Sequence, residues 1–259
     1  MKPHKASNSQ RRLMIGVFAT VFVVSIAAML PASVVALFIN FDGQNMSYSG
    51  TKGTIWAGAL EGVYISGASL GDVSYELSPV SVLGFSPKFD ITARNGAVVG
   101  EGKIAFSISQ KITVTDLIAD FDLGVLAPQG MLGAPTQGIA RIEAKKVSLA
   151  PKRGCIAADG TIWTNVLNAP ARRYNMPALP MSGDMKCDSD ILVVALMGEN
   201  PRAGANIELR VDRSLSYELS ATASSSENDI NTALRILGFE DADGEMVYGS
   251  AGIFRSAGS

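Results

Sequence analysis

The constraint that most narrows what this chain can fold into is a period of two that returns from end to end. Asp72-Val73-Ser74-Tyr75-Glu76-Leu77 alternates polar and apolar residues and stops before Pro79. A strand with one wet face and one dry face is written this way. Residues 54–56, 59–65, 88–93, 102–108 and 111–117 read as further strands, as do 139–144, 146–149, 161–166, 206–211 and 215–221. Their spacing of about 10–14 residues suits antiparallel meanders rather than strand–helix–strand units. Residues 191–197 form a continuous apolar run, which predicts a strand buried on both faces.

Helix is scarce. The best stretch is 227–237, with Ser225 or Ser226 as N-cap, Ile230, Leu234 and Leu237 on one stripe, and Gly238 just past its end. Residues 78–84 predict a single helical turn. Residues 122–137 read as a long connection between halves, and 169–181, with three prolines, as an exposed connection. The expected fold is mainly β: an antiparallel, curved sheet in two β-rich lobes, about 41–121 and 138–259, with one short C-terminal helix.

Two tetrapeptides recur. Gly53-Thr54-Ile55-Trp56 returns at Gly160-Thr161-Ile162-Trp163, which accounts for both tryptophans, and Ser74-Tyr75-Glu76-Leu77 returns at Ser216-Tyr217-Glu218-Leu219. The offset from the first motif to the second is 21 residues in one half and 56 in the other. A strict tandem duplication would keep it constant, so true duplication stays open. A tryptophan in a strand more often anchors packing than binds a ligand. Trp163, lying between the cysteines in sequence, is expected to pack near their bridge.

The N-terminus adds a second constraint. Residues 1–12 carry Lys2, Lys5, Arg11 and Arg12 and no acid, and 13–30 run without a charge. Eighteen helical residues would span ~27 Å, close to the ~30 Å hydrocarbon core. The run exceeds the apolar core of a signal peptide, and apolar residues continue through 31–40. The expectation is a cytoplasmic tail at 1–12, an uncleaved transmembrane helix at 13–30, and an exported domain at 41–259. Without the four tail cations the chain keeps 18 basic against 24 acidic residues, which gives no case for nucleic acid. Cys155 and Cys187 are the only cysteines. In an oxidising compartment they read as one disulfide closing a loop of about 30 residues, with a metal site as the weaker option.

The only histidine, His4, lies in the tail, which removes Ser-His-Asp and Cys-His catalysis from the body. No phosphate-binding glycine loop occurs. Glu240–Glu245 resembles a calcium loop only in part, and a turn at Asp243-Gly244 between two strands accounts for it better. No catalytic, cofactor-binding or metal residues are assigned, no cofactor is expected, and no small-molecule substrate.

These residues resemble a known family, protein N of the type II secretion system. The basic tail and span end in Leu30-Pro31-Ala32, and 53–59 are similar to the family's Gly-Thr-x-Trp-x-Gly-x-Ala pattern. Residues 70–79 follow, with Tyr75 where the family usually carries Trp; the Cys155…Gly160 and 182–187 segments come later. Gly53, Thr54, Trp56, Gly58, Tyr75 and Pro79 carry the signature. The resemblance implies a non-enzymatic accessory component in the inner membrane. Its partners would be other inner-membrane subunits and the outer-membrane secretin. The alternative of another class is a periplasmic lipid-binding or envelope-maintenance protein with an apolar groove in a curved sheet. A carbohydrate-active enzyme would need two acids facing each other in an aromatic cleft.

Overall fold

The structure is a computed structural model that describes residues 14–18, 22, 25–26, 28–34, 46–65, 68–126, 137–214 and 216–253. Among the described residues, fifteen strands form one antiparallel sheet. In chain order they are β1 (Met46–Ser47), β2 (Gly50–Gly53), β3 (Ala57–Ile65), β4 (Ala68–Leu77), β5 (Lys88–Arg94), β6 (Val98–Phe106), β7 (Ile112–Asp122) and β8 (Ile139–Ala150). They continue as β9 (Gly154–Thr164), β10 (Met181–Asp188), β11 (Ile191–Asn200), β12 (Ala203–Val211), β13 (Ser216–Ser225), β14 (Glu240–Ala242) and β15 (Glu245–Ile253). Apart from helical positions in the N-terminal segment, the described residues hold the short helices α1 (Pro79–Leu83), α2 (Leu123–Leu126), α3 (Asn168–Arg173) and α4 (Asn228–Ile236). From β3 to β13 each strand pairs with the next, the meander that the spacing predicts.

The two expected lobes are halves of one sheet. β7 and β8 pair from Ile112↔Leu149 to Asp122↔Ile139, straight across the expected boundary. Of the connection between them, 127–136 lie outside the described residues.

Five local expectations change. Residues 54–56 are a corner rather than a strand, and 139–144 and 146–149 merge into β8 with a bulge at Lys145. β11 is not buried on both faces, since Ala195 and Met197 (67%) on its polar face are exposed. The proline-rich stretch 169–181 is not simply exposed, because Ala171, Leu179 and Met181 are buried. Helix α4 starts at Asn228 with Glu227 as its N-cap, while Ser225 Oγ accepts the Glu227 N–H at 3.1 Å one step earlier. The β14–β15 hairpin turns through Asp243 (φ 55°) and Gly244 (φ 90°), the pair of left-handed residues that a tight two-residue hairpin needs.

The registers carry two faces through the whole sheet. One row, a residue per strand, runs Leu60, Val73, Ala93, Gly100, Ala119, Ile142, Ile162, Gly183, Leu196, Ile207, Ala221 and Tyr248. The adjacent row on the other face runs Ala59, Ser74, Thr92, Glu101, Ile118, Glu143, Thr161, Asp184, Ala195, Glu208, Ser220 and Gly249. At register-paired positions from β3 to β13 the first face carries no charge. Asp116 and Lys145, which fall at bulges, are exposed. The ion pairs Arg141–Asp120 and Arg210 with Glu208 and Asp188 lie on the second face.

The apolar face is concave. A Cβ on Gly100 would stand 2.7 Å from that of Ala119, and one on Gly160 would stand 2.9 Å from that of Ala144. Opposed Cβ atoms normally lie ~4.5–5.5 Å apart, so the strands lean together on this side. On the polar face no such crowding is seen at Gly249, where a Cβ would meet nothing within 4 Å. Bulges at Glu101/Lys103 and Ala144/Lys146 adjoin these glycines, and bulges with glycines are how a sheet is bent.

Candidate functional site

The signature residues converge at one corner. Gly53, at φ 87°, turns the chain out of β2, and a Cβ there would stand 2.3 Å from the Ala57 carbonyl oxygen. Thr54 then organises the turn: its hydroxyl accepts the N–H groups of Trp56 (3.3 Å) and Ala57 (3.4 Å), and its carbonyl accepts the Tyr75 hydroxyl at 2.9 Å. Tyr75 lies opposite Gly58, whose added Cβ would stand 2.7 Å from the phenol oxygen. Burial pushes the Tyr75 pKa up, which keeps the phenol protonated as a donor. The Leu77 N–H binds the Trp56 carbonyl at 2.6 Å, and Pro79 opens α1 two residues further on.

The end of the apolar N-terminal segment docks on this corner. Ile55 N–H binds the Leu30 carbonyl and Ala32 N–H the Gly53 carbonyl, each at 3.0 Å, and Ala32 is buried. Among the described residues no helix is long and apolar enough to cross a membrane. Within 13–30, the described positions 14–18, 22, 25–26 and 28–29 are helical, and the rest of the expected span lies outside the described residues.

Asp72 was not singled out by the sequence, yet it ties three strands. Its carboxylate accepts the Gly62 N–H in β3 and the Asn95 amide beyond β5, both at 2.9 Å. The Asn95 side chain first, and the Gly62 N–H second, hold its carboxyl below the usual range. An acid inside an alternating strand gives no hint of such a role, because its partners come from other strands.

Cys155 and Cys187 form a disulfide with their Cα atoms 5.6 Å apart. It joins β9 and β10 where they diverge, beyond their last paired residues Gly160 and Met185. Trp163 does not pack near it. Trp163 sits on the convex polar face, 41% exposed, beside Arg141 and Ser182. With Asp120, Ile139 and Arg141 it lines an open hollow of about 420 Å³. Arg141 grips Asp120 through two 2.7 Å hydrogen bonds, which hold the Asp120 carboxyl low. That pair is charge-neutralised and offers neither a free base nor a nucleophile. Among the described residues no cluster of His, Cys, Asp and Glu could hold a metal ion.

An open meander sheet, creased by glycines and clamped at its first corner to an apolar segment, defines a mainly β protein whose signature residues hold a corner of the fold. The family of type II secretion system protein N matches residues 44–248, and the chain belongs to that family. No curated protein and no solved structure matches the chain.

Proposed function

We propose that the chain is a non-enzymatic accessory or assembly subunit of the type II secretion system, held in the inner membrane by residues 13–30 with its sheet in the periplasm. It acts through contacts with other inner-membrane subunits and the secretin. The family match over 44–248 carries this reading. The described part of the segment supports the anchor: Met14, Phe18 and Met29 are each more than 70% exposed, which suits hydrocarbon and not water. On the convex face, Trp163 and Met197 offer the exposed large side chains from which protein contacts are built. Photo-crosslinking from these two positions in cells should capture secretion-system subunits, and deleting the gene should impair export of the secreted proteins. A normal secretion profile with no captured subunit would sink the proposal.

A lipid-handling role is the second reading, and the concave apolar face favours it. The backbone hydrogen bonds of that face are spent within the sheet, so it asks for apolar atoms only. Phospholipid retained by the purified protein in native mass spectrometry, and lost on Ile142→Glu, would support it; a lipid-free wild-type protein would exclude it.

A further inference from the structure

The exposed apolar side chains of the sheet's turns gather at one end. Val80 (77%), Leu83 (81%), Phe85 (71%) and Ile108 (80%) lie in the β4–β5 and β6–β7 connections. Among the described turns and helices at the opposite end, only Ile236 is exposed to that degree. Helix α1 contributes no buried residue at all. Sequestered in water this way, four large side chains have no partner within the described fold, although the chain could have turned them inward or replaced them with polar residues.

Hydrogen bonds place this group beside the corner that receives the N-terminal segment. Leu77 N–H binds Trp56 of the corner, Ser78 N–H binds the Lys88 carbonyl, and Phe106 N–H binds the Pro87 carbonyl. The 54–56 corner, the 78–87 connection and the 107–111 turn therefore stand side by side. Cations flank them: Lys88, Lys152 and Arg153 are exposed, the last two in the β8–β9 turn at the same end. Acids stand at this end as well: Glu76 and Asp90, exposed and paired across β4 and β5, lie just inside the strands, and Asp188 and Asp190 follow at the β10–β11 turn. The concave face also opens here, since Phe106, Ile112 and Leu149 form its terminal row and are all partly exposed.

We infer that this end of the sheet is a second membrane contact, in which Val80, Leu83, Phe85 and Ile108 enter the interfacial layer of a phospholipid bilayer and Lys88, Lys152 and Arg153 face its anionic headgroups. The inference rests on the reading of 13–30 as the membrane segment, which brings the bilayer to Leu30–Ala32 and so to these turns. A bilayer matches the observations better than a protein would. It takes large side chains from separate turns without demanding a shaped pocket, and it rewards cations at its surface. The sheet would then stand with its strands rising from the membrane and its apolar mouth at the lipid.

The full chain, reconstituted in vesicles of phosphatidylethanolamine and phosphatidylglycerol with brominated acyl chains, tests this. An environment-sensitive dye is attached through Leu83→Cys, Ile108→Cys, Ile236→Cys or Phe18→Cys, with the Cys155–Cys187 disulfide intact and unlabelled. Bromine should quench the dye at 83 and 108 and leave 236 bright. Unquenched dye at 83 and 108, with 18 quenched, overturns this inference while leaving the anchor in place. Unquenched dye at 18 overturns the anchor itself. Dye at 83 that is shielded from aqueous iodide but untouched by bromine would mean that protein covers these turns, which also overturns it. Replacing all four apolar residues with Ser should leave vesicle-bound protein with turns cleavable by added protease; protection equal to that of the parent chain would count against the contact.

Discussion

Tyr75 donates its hydroxyl to the Thr54 carbonyl at 2.9 Å while its ring covers Gly58 on the neighbouring strand. The pair joins the corner that holds the N-terminal segment to the first full hairpin of the sheet. Tyr75→Phe should therefore destabilise the protein by about 1–2 kcal/mol through the unmet carbonyl. Gly58→Val should cost about 1–3 kcal/mol or more, because a side chain there displaces the ring. Urea denaturation of both variants measures this, and equal stability of Tyr75→Phe and parent would dismiss the hydrogen bond as a contributor.

The two faces should respond differently to truncation. Met181 is fully buried, whereas Trp163 stands 41% exposed on the convex face. Met181→Ala should lose about 2–5 kcal/mol. Trp163→Ala, although it removes the larger side chain, should stay within about 1 kcal/mol. Chemical denaturation midpoints of the two variants decide the matter, and a reversed order would refute the assignment of faces.

The disulfide spans 32 residues and clamps the diverging ends of β9 and β10. Cys187→Ser should lower stability by about 3–4 kcal/mol and leave one thiol that an alkylating reagent modifies after unfolding. An unchanged melting temperature would show that the sheet holds these ends without it.

Acid should loosen the hairpins that Asp72 ties. Its folded pKa is depressed, so its contribution is fully present above the unfolded value of about 3.9 and is lost as pH falls through the lower folded value. Stability followed from pH 7 down to pH 2 should fall less steeply below pH 4 for Asp72→Asn than for the parent. Superimposable profiles would remove Asp72 from the account.

The repeated tetrapeptides show how far local sequence reaches. Ser-Tyr-Glu-Leu lies in β4 and again in β13, and each tyrosine faces a glycine on the adjoining strand, Gly58 in one case and Gly252 in the other. Gly-Thr-Ile-Trp diverges: at 53–56 it is a corner, at 160–163 the middle of a strand. Identical letters take different backbones because Gly53 is met by Ala57 and by the Leu30–Ala32 segment, contacts that the second copy lacks.

The sequence by itself determined most of the strands, their antiparallel order, the disulfide pair and the family, because period-two alternation and short connections are local properties of the chain; it missed β10 and read the 54–56 corner as a strand. Only the tertiary structure decided which side chains share a face. Cys155 and Trp163 are eight residues apart, so a regular strand would put both on one side. The irregularity between Ser148 and Leu149 in the β8–β9 register inserts an extra residue at Ile156 and reverses the parity, sending Trp163 to the convex face. Curvature is likewise the product of pairs such as Gly100 with Ala119, which lie on different strands. The joining of the two halves, the burial around Met181 and the gathering of Val80, Leu83, Phe85 and Ile108 at the anchored end all depend on such neighbours, whose contacts exist only once the sheet has closed its registers.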